Sequence, residues 1–336
     1  MRRPRAAPLA LAAVLGLAAC DHAQPFAEYA EPNVPLDSAS PSRITFNASG
    51  DVEPAWLPGD SGIIYAFSSG QPNRDQCLGV LPPNGGHQVR IVCHDLADPD
   101  STALLREPAV GGGGRLAYVR ESSPIGAAAP VVELVVATMA APDPGRVVRR
   151  FPYTDAGGVL HGGAGSLRWL PDGALVYIAE QLTFTAPPLP VDTIATPLWI
   201  ERLDFVGDSA NATVMPGTAG ATSLAVDSAG ALYFTLPGDS VVYRLAPGGV
   251  GGPPSPWYDF GGAGAASGVQ VRGNLLVAFA DTDLYRVDVA ANTRTRIAPP
   301  AAEQLSEPAL SPSGTRLVVQ AAGPGGFPDL WLYRLP

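Results

Sequence analysis

Trp169-Leu170-Pro171-Asp172-Gly173-Ala174-Leu175-Val176-Tyr177 reads as a strand, a tight turn and a second strand. Pro171 suits the second position of a type I turn, Asp172 can hydrogen-bond its own backbone, and Gly173 tolerates positive φ. The flanking residues are β-formers that accept burial on both faces. Imperfect copies of this unit recur from residue 53 to the C-terminal end of the chain.

Six copies align on the turn. Pro54-Ala55-Trp56-Leu57-Pro58-Gly59-Asp60-Ser61-Gly62 leads into Ile63 to Phe67, and Pro108-Ala109-Val110 runs through Gly111 to Gly114 into Leu116 to Val119. The quoted stretch is the third. The fourth is Leu224 to Gly230 before Ala231 to Phe234, the fifth Val269 to Asn274 before Leu275 to Phe279, and the sixth Pro308 to Gly314 before Leu317 to Val319. Their anchors, Trp56, Val110, Trp169, Val226, Val271 and Leu310, stand about 40–60 residues apart, the period of four-stranded propeller blades. Further strand candidates follow most hairpins, such as Val241–Leu245 and Trp257–Phe260, or Leu284–Val289 and Thr293–Ile297. Thr183–Pro197 reads as an exposed loop inserted in the third copy. The fold expected is therefore all-β, a six-bladed β-propeller of four-stranded antiparallel blades over residues 43–336. The last copy offers only three strands, and an open edge would leave backbone groups unpaired. Arg43-Ile44-Thr45-Phe46 is expected to complete that blade from the N-terminal side as its outermost strand.

The hairpins resemble the WD40-like repeats of TolB-type six-bladed propellers, best at 54–67, 169–177 and 308–319. Val226-Asp227-Ser228-Ala229-Gly230 is closer to the repeat of NHL or SMP-30-type propellers. The first resemblance implies the architecture, since propellers host binding proteins and many unrelated enzymes. The second implies a hydrolase or lactonase holding a divalent cation in its central channel.

The chain carries 38 Gly, 36 Pro and 46% hydrophobic residues, so the turn formers punctuate a buried core. All 21 Lys+Arg residues are Arg, and the formal net charge is −10. An acidic surface repels phosphate backbones, which argues against a nucleic-acid partner. Arg2, Arg3 and Arg5 precede an apolar run from Ala6 to Ala19, too short to span a bilayer comfortably. The run ends in Leu17-Ala18-Ala19-Cys20, which resembles the lipobox of bacterial lipoproteins. The resemblance implies a signal peptide at 1–19 and a lipid-modified, palmitate-bearing Cys20, a two- or three-chain anchor. Asp21 resembles an inner-membrane retention signal; the outer membrane is the other destination. Residues 20–42 read as a flexible tether. The expected location is the bacterial cell envelope, on the periplasmic side, with the propeller a monomer touching the membrane through its anchor alone.

Cys77 and Cys93 are placed near-symmetrically about the turn Pro83-Asn84-Gly85-Gly86, which suggests a disulfide in an exported protein, two free core thiols being the alternative. His22, His87, His94 and His161 show no metal-ligand spacing. Gly59-Asp60-Ser61-Gly62 looks like a protease nucleophile loop but fits an inter-strand turn better. No catalytic set is identified. The remaining constellation is acidic. Glu53, Glu107 and Glu307 each precede Pro-Ala at the same repeat position, in blades made adjacent by ring closure. That position is expected to begin the innermost strand and to place the three carboxylates at one mouth of the central channel, with His161 on the same face. Such a half-ring would bind a divalent cation or the basic end of an envelope peptide; Glu-Pro-Ala as mere repeat consensus is the alternative. The function expected is an anchored binding module, and otherwise a metal-dependent hydrolase or lactonase working in the channel.

Overall fold

The computed structural model describes residues 41–46, 50–68, 76–93, 102–123, 130–184, 193–249, 252–300, 303–323 and 326–336. Cys20, Asp21, His22, the tether up to residue 40, and His94 lie outside them. Six antiparallel sheets form the blades of a β-propeller. The inner strands are Asp51–Trp56, Thr102–Val110, Leu160–Trp169, Ser223–Val226, Ala266–Arg272 and Gln304–Leu310, in blades 1 to 6. Blade 3 has a fifth strand, the two-residue Tyr153–Thr154, paired on the inner side of Leu160–His161.

Residue chemistry sets each strand's radial place. The second strand of a blade is covered on both faces by its neighbours, so it is apolar without alternation. In Ile63–Ser68 all but the last residue are buried, as are all four residues of Leu232–Thr235. At the rim, Thr293–Arg296 is exposed throughout and reads Thr-Arg-Thr-Arg.

The ring closes where the sequence leaves it open. Ser42 and Arg43 pair with Leu332 and Trp331 as the fourth strand of blade 6. The expected closing strand is thus present, beginning one residue earlier. Ile44 N–H continues it by donating to Leu330 O at 2.8 Å, and Leu330 N–H donates to Thr45 Oγ1 at 2.9 Å. Arg43 also meets Asp329 at 2.8 Å. Ile44 is 2% exposed and packs with Trp56, Ile63, Leu330 and Leu332, so one side chain joins blades 1 and 6.

Neighbouring blades are tied by the residues that mark the repeat. Trp56 Nε1 donates to Ala309 O of blade 6 at 2.9 Å, and Trp169 Nε1 to Ala109 O of blade 2 at 3.1 Å. The tryptophan of one copy thus clasps the Pro-Ala of the copy before it. Arg115 stacks over the Trp169 ring at 4.7 Å and donates to Gly173 O at 2.9 Å. Gly111 makes this approach possible: a Cβ there would lie 2.7 Å from Trp169 Cγ.

Cys77 and Cys93 face each other across adjacent strands and are disulfide-bonded, with a sequence separation of 16. Asp60 and Ser61 belong to a turn: Ser61 Oγ donates to Pro58 O at 2.9 Å, and Ser313 donates to Asp60 through both its N–H and its hydroxyl. The insertion in blade 3 differs from the loop expected at 183–197. The strands Leu175–Phe184 and Thr193–Val206 carry the hairpin outward to the pair Phe184 and Thr193, and only 185–192 lie outside the described residues. β-formers such as Thr183, Phe184, Thr193 and Ile194 extend the ladder.

Ile44→Ala is expected to cost about 2–5 kcal/mol, the range for emptying a buried aliphatic site. Denaturant unfolding of the two proteins checks this; an unchanged midpoint would mean that the closing strand does not hold the ring.

Candidate functional site

A backbone irregularity builds the site. In blades 1, 2, 3, 5 and 6 the inner strand slips register at a matching place, between Val52 and Ala55, Arg106 and Ala109, Gly165 and Arg168, Ser267 and Gln270, and Ser306 and Ala309; blade 3 slips a second time between His161 and Gly163. Each matching slip contains one residue at positive φ: Glu53 at 54°, Glu107 at 55°, Ser166 at 53°, Gly268 at 58° and Glu307 at 43°. These are β-bulges, and the prolines after the three glutamates are tolerated because a bulge leaves a residue outside the ladder. The glutamates therefore sit inside their strands, not at the strand starts that the sequence suggested. Four non-glycine residues are held at positive φ in these slips, three of them carboxylic, a clustering of the kind that marks functional sites.

Glu53 and Glu107 are in direct contact: the Glu107 N–H donates to Glu53 Oε2 at 2.5 Å. Glu53 N–H in turn approaches Gln320 Oε1 of blade 6 at 3.4 Å. Burial, then the Glu107 charge, push the Glu53 carboxyl up to about 8, against the opposing pull of that amide and of Arg106. Glu307 is raised in the same direction by the surrounding protein and by Glu107. A fourth carboxylate joins them. Glu180, on the second strand of blade 3, is also raised by burial, and Arg106 and Glu107 lie within its electrostatic reach. Gly165 makes the room, since a Cβ there would stand 3.2 Å from Glu180 Oε1 and 3.5 Å from Glu107 Oε1.

Glu107, Glu180 and Glu307 line a cavity of about 720 Å³ at this mouth of the channel, together with Ser166, Arg168 and Gln270. Arg168 is a second cation beside Arg106; burial lowers its pKa, and Glu107 and Glu307 partly restore it. His161 is placed elsewhere. It is 1% exposed, stacked on Tyr153 at 4.5 Å, edge-on to Trp199 at 5.7 Å, and its Nε2 lies 3.1 Å from Asp155 Oδ2. It is not among the residues lining the cavity. The short hairpin of Tyr153–Thr154 with Leu160–His161 draws it into this aromatic stack.

The arrangement does not fit a resident divalent cation. Among the described residues no three His, Cys, Asp or Glu side chains come together as a metal site. One Glu53 oxygen is already committed to an amide, and an arginine stands among the carboxylates. Hard cations need several converging oxygens.

Glu180 and Arg168 escape a reading of the sequence for different reasons. Glu180 lies on a second strand, away from the repeated position, and reaches the mouth only because its strand runs antiparallel to the inner one. Arg168 stands directly before the tryptophan of the quoted repeat, where Ala55 and Ala309 stand in the copies of blades 1 and 6; a polar residue replacing a small apolar one was the available signal.

No protein-family profile and no curated protein matches this chain. Solved structures do. A gluconolactonase from Xanthomonas campestris is 18% identical with a TM-score of 0.55, covering 92% of this chain and 99% of its own. TolB from Acinetobacter baumannii is 16% identical with a TM-score of 0.54, over 82% of this chain and 65% of its own. Regucalcin, a calcium-binding protein from Agrobacterium tumefaciens, is 15% identical with a TM-score of 0.52, over 84% and 90%. At these identities the likeness establishes the fold.

Glu53 gives a signed pH prediction. Its carboxyl is harder to ionise folded than unfolded, so the stability tied to the neutral form is complete below the unfolded value and is lost as pH rises towards about 8. Glu53→Gln should therefore match the wild type in melting temperature near pH 5 and exceed it by a few degrees near pH 9. Parallel melting curves with no pH-dependent gap would remove Glu53 from the list of strained acids.

Proposed function

We propose that the central channel is the working site and that the protein hydrolyses a small ester of the lactone class there. The observation that carries this is the cavity of about 720 Å³ in which Glu307 and Glu107 face Arg168. A glutamate whose pKa is raised is a competent base near neutral pH, and a guanidinium at a carbonyl favours charge developing on its oxygen. Glu307 would take the proton of a water attacking the ester carbonyl, Arg168 would hold the resulting oxyanion, and the proton would pass from Glu307 to the departing alkoxide. The gluconolactonase structure supports this reading through extent as well as fold, since 99% of its length is matched, whereas 65% of TolB is.

A second reading has its own observation. Glu303, Asp281 and Asp283 add to the carboxylates around the same cavity, an excess of negative charge suited to the basic end of an envelope peptide. Residence in the envelope belongs to the proposal as well, on the strength of the lipobox-like Leu17 to Cys20 and the tether-like composition that follows it. Cys20→Ser should then move the chain from the membrane fraction to the soluble one.

Titration of the acid released from a panel of γ- and δ-lactones tests the hydrolase. Saturable turnover is expected, unchanged by a chelator and reduced about 100-fold or more in kcat by Glu307→Gln or Arg168→Gln. Absence of turnover across the panel would leave the peptide-binding reading in its place.

A further inference from the structure

The channel has a second mouth of opposite character. The inner strands run from the carboxylate cluster to the tight turns, and there a separate cavity of about 510 Å³ opens. Arg168 and Gln270 line both cavities, so they form the waist between the two. Beyond the waist stands Arg272, the last residue of the inner strand of blade 5. Trp56 and Trp169 form part of the same wall.

Two arginines are thus turned into one lumen with most of their donors unspent. A guanidinium carries five N–H donors. Arg168 donates from Nη1 to Leu167 O at 2.7 Å. Arg272 donates from Nη1 to Val271 O at 2.7 Å and to Val226 O at 3.4 Å. Among the described residues these carbonyls are their only hydrogen-bond partners, and neither arginine has a carboxylate at ion-pair distance. The nearest acids on this side are engaged by their own turns. Asp227 accepts from Ala229 and Ala231 N–H at 2.9 Å each and from the Tyr233 hydroxyl at 3.0 Å. Asp60 accepts the Ser313 N–H at 3.0 Å and the Ser313 hydroxyl. Glu107 and Glu307, which act on Arg168 electrostatically, lie on the far side of the waist.

We infer that Arg168 and Arg272 form a binding site for a small oxyanion, a carboxylate- or phosphate-bearing molecule entering from the turn side of the channel. Two like charges in one narrow, partly desolvated lumen repel each other, and burial with Arg168 beside it lowers the pKa of Arg272. An anion between them relieves both costs, and planar guanidinium forks match carboxylate and phosphate oxygens in pairs. The site stands on the geometry of the second mouth and holds whether or not the first mouth turns over an ester.

The test uses the full chain and the tryptophans built into the wall. Emission is followed during titration with sodium phosphate and, separately, with sodium gluconate, at ionic strength held constant with sodium chloride. A saturable change is expected with at least one probe. Saturation by both, or by gluconate alone, assigns a carboxylate-binding site; saturation by phosphate alone assigns a phosphate-binding one. Arg272→Gln should weaken the binding about tenfold or more, and Arg272→Lys, which keeps the charge without the fork, should weaken it less. If Arg272→Gln loses the native circular dichroism spectrum, Arg272→Lys carries the comparison alone. A response linear in both probes, or affinities equal to wild type in a folded Arg272 variant, overturns the site.

Discussion

The bulge in the inner strands is the constraint on which the rest of this propeller depends. A bulge interrupts the ladder in each of five strands, and in blades 2, 3 and 6 the bulged residue (Glu107, Ser166 or Glu307) lines the channel cavity. The conformation that does this, φ near +50°, is one L-residues other than Asn and Asp adopt reluctantly. Glycine fills it in blade 5 and serine in blade 3, yet glutamate fills it in blades 1, 2 and 6. Those three blades accept both backbone strain and carboxylate repulsion at one place.

The clasp between blades explains how that strain is held. A tryptophan indole reaches to the Pro-Ala carbonyl of the preceding blade, one residue beyond the proline of the bulge. The same short sequence thus supplies strain at its glutamate and restraint at its alanine carbonyl. Around blade 3 the restraint is doubled on the outside, where Arg149 of blade 2 bonds the Tyr177 hydroxyl at 3.3 Å and Glu201 at 2.9 Å. A rigid outer wall lets the inner wall depart from ideal geometry without the ring opening.

The architecture was legible in the sequence because its signals are local. Turn chemistry, an apolar second strand and a repeat spacing are each read within one blade, and the closing strand follows from counting strands in the sixth. The disulfide between Cys77 and Cys93 was equally local, as a pair straddling one hairpin turn. The site was legible only in part. Glu53, Glu107 and Glu307 share a repeat position, so periodicity found them, but periodicity could not show that the position is a bulge. Glu180 belongs to no repeated pattern and Arg168 departs from one, and their meeting with Glu107 depends on where blade 3 stands relative to blade 2. His161 shows the opposite error, since shared position along the chain suggested the channel while an added two-residue strand drew its ring into an aromatic stack.

The two mouths also differ in how charge is arranged along the axis. Carboxylates gather where the bulges lie, and arginines stand where the inner strands end at the tight turns. Nothing about folding a blade requires this order, because Ala55 and Ala309 stand in blades 1 and 6 where blade 3 has Arg168. Arg168 incurs desolvation that those alanines avoid, and Arg272 incurs it as well. A half-buried cation without a carboxylate at ion-pair distance detracts from stability, so its position marks where something other than the fold sets the residue. By that argument the functional weight of the molecule lies along the axis, from Glu307 through Arg168 to Arg272. The rim, whose exposed strand in blade 5 alternates threonine and arginine in solvent, serves to keep that axis in place.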